Sequence, residues 1–115
     1  MASGPPYTPV VRSGEWIVVS GQIGLGPDGL ADGMAEQLRV ALSNLEALLA
    51  DQGATVADVV KTTVYLTTMD DYAEMNEVYL DTFTGTPPAR SAVAVAALPL
   101  GALVEVEAWA RIGAD

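Results

Sequence analysis

Two side chains in this sequence are suited to chemistry by type and setting. Arg90 follows Pro87-Pro88-Ala89 and opens an apolar, alanine-rich stretch; Glu105 lies in Leu103-Val104-Glu105-Val106-Glu107-Ala108-Trp109, which reads as that stretch's hairpin partner. The chain has five cationic residues against fifteen carboxylates, so an arginine beside a segment expected to be buried stands out. A buried charge without a partner costs on the order of several kcal/mol. The partner is either a protein carboxylate or the carboxylate of a small ligand, and the residues alone leave both open. A guanidinium presents two parallel N–H donors that match a carboxylate and fix its plane, which a lysine does not. A glutamate nearby can take a proton from an attacking water.

Composition removes most other chemistries. There is no cysteine and no histidine, which excludes disulfides, thiolate metal sites, cysteine nucleophiles and a Ser-His-Asp triad. Any catalysis must come from carboxylates, hydroxyls, arginine, lysine or backbone groups. A net charge of −10 and a pI of about 4.1 repel phosphate backbones, so nucleic acid is disfavoured as a partner. No apolar run is long enough to span a membrane, and the N-terminus shows no cationic-plus-apolar signal segment. The expectation is a soluble, cytoplasmic protein. At 115 residues the chain reads as a single domain over 1–115.

The elements that must position Arg90 and Glu105 follow from periodicity. Val10–Arg12, Ser13-Gly14 and Trp16–Val19 predict an N-terminal β-hairpin, and residues 21–33 a glycine-rich loop with a Pro27-Asp28-Gly29 turn. Leu38, Leu42, Leu45 and Leu49 recur at helical spacing within about 34–52, and Gly53 ends that helix. Residues 59–67 are β-branched and aromatic, hence a strand. Asp70-Asp71 predict the cap of a second helix reaching Phe83, with Tyr72, Met75 and Tyr79 inward. Two closing strands, roughly 91–97 and 103–111, are joined through Pro99-Leu100-Gly101. The order is β-β-α-β-α-β-β, an α+β layout with two helices on one face of a mixed sheet.

Period-two alternation predicts that Val93, Val95, Val104, Val106, Ala108 and Ala110 meet the helices. Arg90, Ala92, Ala94, Glu105, Glu107 and Trp109 would then share the other face. That face is too apolar for a plain wet surface, so burial against another subunit is expected. In a hairpin centred near Pro99-Leu100, Arg90 stands about opposite Trp109 and on the order of 13 Å from Glu105 along the strands. That spacing disfavours a direct Arg90–Glu105 bridge, leaves Arg90–Glu107 open, and makes room for a small molecule.

Four motifs carry a resemblance. Ser20-Gly21-Gln22-Ile23, Val60-Lys61-Thr62-Thr63-Val64-Tyr65-Leu66, Pro88-Ala89-Arg90-Ser91 and Val104-Glu105-Val106-Glu107-Ala108 stand in the order and spacing of the RidA (YjgF/YER057c/UK114) family. The match runs from about Tyr7 to Arg111. The resemblance implies a chorismate-mutase-like fold and a homotrimer with a cleft at each subunit interface. It implies hydrolysis of small carboxylate-bearing imines and enamines, of the 2-aminoacrylate and 2-iminobutanoate type, to 2-keto acids and ammonia, with no metal or organic cofactor. By the same resemblance Arg90 clamps the substrate carboxylate and Glu105 positions water, while Tyr7, Ser20 and Asn76 are substrate-binding residues. Two positions depart from the pattern: Ala92 stands where the best-known deaminases carry cysteine, and Pro87 replaces an aromatic. They leave a relative acting on another imine or acyl–nitrogen compound as one alternative, and a non-catalytic ligand-binding or chaperone-like trimer as another. Residues 24–29 formally match G-x-G-x-x-G, but a Pro-Asp-Gly turn interrupts them and no helix starts at the glycines, so they read as a loop.

Overall fold

A computed structural model describes residues 4–113. Strands β1 (Val10–Ser13) and β2 (Trp16–Ile23) form the N-terminal hairpin, followed by a two-residue ladder of β3 (Leu25–Gly26) and β4 (Gly29–Leu30) around the Pro27-Asp28 turn. Helix α1 (Met34–Asp51), strand β5 (Val59–Leu66), helix α2 (Tyr72–Thr82), and strands β6 (Ala89–Ala94) and β7 (Val104–Arg111) complete the order. The main sheet runs β1-β2-β7-β5-β6, with β5 and β6 parallel and the other neighbours antiparallel. The α+β order and the mixed sheet agree with the sequence reading.

The core forms because one stripe of α1 and one face of the sheet are apolar. Leu38, Leu42, Leu45 and Leu49 are fully buried against Ile17, Val64, Leu66, Val104, Val106, Ala108 and Ala110. Full burial of each large aliphatic side chain contributes about 1.5–3 kcal/mol. Gly53, at φ 79°, supplies the left-handed turn that releases the chain from α1. The buried Gln37 ties three segments together: its Nε2 donates to the Ala31 carbonyl at 3.0 Å, and its Oε1 accepts from the Leu103 N–H at 2.8 Å.

Four expectations need correction. Strands β6 and β7 are not a hairpin, because β5 lies between them and pairs with both. The unit β5–α2–β6 is a helical crossover, which demands parallel strands, and β6 takes the sheet edge. The second correction follows from the register. Thr62 pairs with Arg90 and Val64 with Ala92; both β5 residues are fully buried beneath the helices, so Arg90 and Ala92 face the helices too. Val93, expected inward, is 42% exposed on the open face. For β7 the alternation holds: Val104, Val106, Ala108 and Ala110 are buried, whereas Glu105, Glu107 and Trp109 are on the open face. Third, the cap before α2 comes from Thr68, whose hydroxyl accepts the Asp70 N–H at 3.1 Å; Asp71 makes no side-chain cap bond. The expected loop from residue 21 also begins as strand, since β2 continues to Ile23.

The open face carries aromatic and aliphatic side chains, of which Trp109 was expected there. Trp16 and Trp109 meet edge to face, ring centroids 6.1 Å apart, and Val11 and Val93 are also exposed.

Candidate active site

Arg90 lies on the edge strand with α2 packed across it. Tyr72, Met75, Asn76 and Tyr79 recur at i, i+3, i+4 and i+7, so one stripe of α2 covers the guanidinium. Arg90 Nη2 donates to the Tyr72 hydroxyl at 3.2 Å and Nη1 lies 3.5 Å from Met75 Sδ. The guanidinium carbon stands 4.9 Å from the Tyr79 ring centroid and 5.6 Å from that of Tyr72. Tyr79 is itself fixed by a 2.6 Å hydrogen bond shared with buried Thr62. Burial raises the Tyr79 pKa, and the Thr62 hydrogen bond and Arg90 oppose this only in part. A neutral phenol therefore faces the cation.

Aromatic faces orient a guanidinium without neutralising it. Among the described residues the ion pairs are Arg39–Glu36 and Arg111–Glu15; no carboxylate lies within 4.0 Å of Arg90. An Arg90–Glu107 bridge within the chain is ruled out by the sheet, since the two point to opposite faces. Beside Arg90 opens a pocket of about 350 Å³ lined by Asn76, Tyr79, Leu80, Pro87, Pro88 and Arg90. Asn76 Oδ1 is buried and has no hydrogen-bond partner among the described residues. A buried acceptor without a donor costs about 1–3 kcal/mol. A guanidinium with no protein carboxylate within reach suits a ligand bearing a carboxylate.

Glu105 is placed by a β-bulge. Val19 pairs with Ala108 and Gln22 with Val106, so Ser20 and Gly21 together oppose a single residue of β7. The bulge lays the Glu105 carboxylate directly on Gly21: a Cβ built at Gly21 would stand 2.7 Å from Glu105 Cδ and overlap the carboxylate oxygen. Only glycine admits that approach. The Ser20 N–H donates to the Pro9 carbonyl at 2.8 Å and its hydroxyl to the Thr8 carbonyl at 2.7 Å. These bonds bring the N-terminal segment and Tyr7 over the bulge. The result is a pocket of about 300 Å³ lined by Tyr7, Ser20, Gly21, Ile23, Pro99 and Glu105. Burial, and then the charge of Glu107, push the Glu105 pKa above the ordinary carboxylate value.

The five expected site residues thus fall into two groups. Tyr7, Ser20 and Glu105 line one pocket, while Arg90 and Asn76 line another, and the chain does not bring the two together. The expected Arg90–Glu105 spacing lapses with the hairpin on which it rested. Sequence reasoning placed Tyr72, Met75 and Tyr79 inward on their helix without linking them to Arg90. Their helical spacing about Asn76 was the available signal. Tyr65, whose hydroxyl donates to Glu107 Oε1 at 3.0 Å, had none, because cross-strand pairing decides it.

Comparison with known proteins identifies the family and agrees with the fold. The family model described as endoribonuclease L-PSP matches residues 1–112. A 2-iminobutanoate/2-iminopropanoate deaminase of Mus musculus is 44% identical over 111 residues, covering 94% of this chain and 82% of the relative. A RutC family protein of Pyrococcus abyssi is 42% identical over 108 residues, covering 91% and 85%. The crystal structure of the YjgF gene product from E. coli superposes with a TM-score of 0.92 at 38% identity, covering 97% and 92%. That of E. coli TdcF with bound serine gives 0.89 at 35% identity, covering 96% and 91%. With a matched family model over nearly its whole length, relatives above 40% identity and the same α+β fold, the chain belongs to the YjgF/RidA family.

Proposed function

We propose that this protein is a cofactor-independent imine deaminase, working as a homotrimer in which the Arg90 pocket of one subunit faces the Glu105 pocket of the next. The observation that carries this reading is Arg90, free of carboxylates among the described residues, beside an unpartnered Asn76 acceptor. Two pockets on different faces of one chain, each holding part of the expected set, favour assembly between subunits. The exposed Trp16, Trp109 and Val93 favour the sheet's open face as the contact.

Arg90 holds the carboxylate of a 2-imino acid by charge-assisted hydrogen bonds, and Asn76 Oδ1 accepts an imine N–H. Water attacks the C=N carbon of the imine protonated at nitrogen and passes a proton to Glu105, forming a neutral carbinolamine. Glu105 returns that proton to nitrogen, the C–N bond breaks with its electron pair leaving on ammonia, and the hydroxyl proton passes through the carboxylate to solvent as the C=O bond forms. Net of the proton taken up and released, one imine and one water yield one 2-keto acid and one ammonia. The Mus musculus relative's name, and those of the rat and human relatives, support this substrate class.

The test couples the protein to an enzyme that releases short-lived 2-imino acids, with semicarbazide competing for the imine. Keto-acid release should exceed the buffer rate, and Arg90→Ala should abolish the excess. A wild-type rate equal to buffer would remove the enzymatic reading. Solution mass should report three chains, and Val93→Asp on the open face should lower it. A second reading, a trimer that binds small amino or keto acids without turnover, is favoured by the serine bound in the similar E. coli TdcF. It predicts binding at Arg90 with no catalysis of any imine. RNA cleavage, which the family description suggests, is opposed by the net charge of −10.

A further inference from the structure

Glu105 is not alone on its face. Glu107 stands two residues on along β7, which places it on the same side of the sheet about 6–7 Å away. Tyr65 on β5 pairs directly with Glu105, and its hydroxyl reaches diagonally to Glu107 Oε1 at 3.0 Å. A carboxylate held by a phenol hydroxyl keeps its position next to the first.

We propose that Glu107 is a positioning residue, anchored by Tyr65 on the face of Glu105, where its fixed negative charge makes Glu105 a stronger base toward water. The inference rests on the reading of Glu105 as the group that takes the proton. The effect requires that no cation cancel the charge of Glu107. On β7 the cation of the same face is Arg111, and it is taken by Glu15 at 2.7 Å. On β5, Lys61 shares the face, opposite Trp109, but makes no ion pair within 4.0 Å among the described residues. The facing residues of β2 (Trp16, Val18 and Ile23) and of β6 (Ala89, Ser91 and Val93) carry no charge, and of the described N-terminal residues 4–9 the one titratable group is the Tyr7 phenol. Like charges at this separation in a half-buried site raise proton affinity. Burial and Glu107 both act on Glu105 in that direction, and Tyr65 is held protonated by burial and by the same two carboxylates.

The inference is tested on the full-length protein by following the glutamate side-chain carboxyl signals by NMR across pH. Glu105 is assigned by its loss in Glu105→Gln. Glu107→Gln should lower the Glu105 midpoint by about one pH unit, a tenfold loss of proton affinity. Glu107→Asp, which keeps the charge, should hold most of it. Tyr65→Phe should give a smaller fall in the same direction. The acid limb of the imine-hydrolysis rate should move with the midpoint in each variant, a displacement that a purely structural role for Glu107 would not produce. An unchanged Glu105 midpoint in Glu107→Gln overturns the inference and leaves the deaminase reading intact. A shifted midpoint in a protein that hydrolyses no imine supports the electrostatic coupling and rejects the catalytic reading on which its purpose rests.

Discussion

Gly21→Ala separates the placement of Glu105 from its presence. The added methyl would stand 2.7 Å from Glu105 Cδ and 3.2 Å from Cγ, closer than packed atoms tolerate. The obstacle is the far end of a flexible side chain, so the carboxylate gives way and the backbone stays. Turning Glu105 out of its rotamer costs about 0.5–1.5 kcal/mol, so the melting temperature at fixed protein concentration should fall only modestly. The consequence for hydrolysis should be much larger. A positioned acid–base group contributes about 10²–10⁴-fold, and a displaced carboxylate no longer aims water at the C=N carbon. Steady-state keto-acid release should show kcat reduced about 10²-fold, roughly 2.7 kcal/mol in the barrier. Binding of a small 2-keto acid at Arg90 should change little. A Gly21→Ala protein with wild-type kcat and an intact fold would refute the claim that the bulge places the catalytic carboxylate.

Other outcomes follow from the same geometry. Arg90→Lys keeps the charge but loses the paired donors, each worth about 1.5–3 kcal/mol, so the KM for imino acids should rise at least tenfold, read from initial rates. Thr62→Val leaves the hydroxyl of Tyr79, which is 2% exposed, without its partner; urea unfolding at fixed concentration should show a loss of about 1–3 kcal/mol. The raised Glu105 pKa gives rate and stability opposite signs with pH. In the proposed mechanism Glu105 acts as the ionised carboxylate, so kcat should fall on acidification, at a pH above that of an ordinary glutamate. The folded state holds that proton more tightly than the unfolded chain, so this group's contribution to stability should drop as pH rises from the unfolded pKa through the folded one. Glu105→Gln should remove both dependences, read by a pH–rate profile and by thermal melts.

Much of the fold was legible because period and composition are local. The leucine stripe of α1, the β-branched run of β5 and the alternation of β7 each declare one buried face, and their order leaves few α+β layouts. Pairing is not local. Adjacent strands at the end of the chain pointed to a hairpin, yet the crossover through α2 sends β6 parallel to β5, and β5 separates it from β7. A one-residue change of face follows from that register, and it moved Arg90 from the open side to the helix side.

The candidate site divides in the same way. Residue types alone marked Arg90 as a cation in search of an anion, and the absence of histidine and cysteine narrowed the chemistry to carboxylates, hydroxyls, arginine, lysine and backbone groups; the family resemblance singled out Glu105 among the carboxylates. The chain's own letters determined which groups are present, which segments are helix or strand, and which chemistries are impossible, because these depend on side-chain type and near-neighbour spacing. Tertiary structure decided that Tyr72, Met75 and Tyr79 enclose the guanidinium, that a bulge seats Glu105 on Gly21, and that Tyr65 reaches Glu107. Each of those contacts joins segments distant in sequence, and only the register of the sheet and the docking of α2 bring them together.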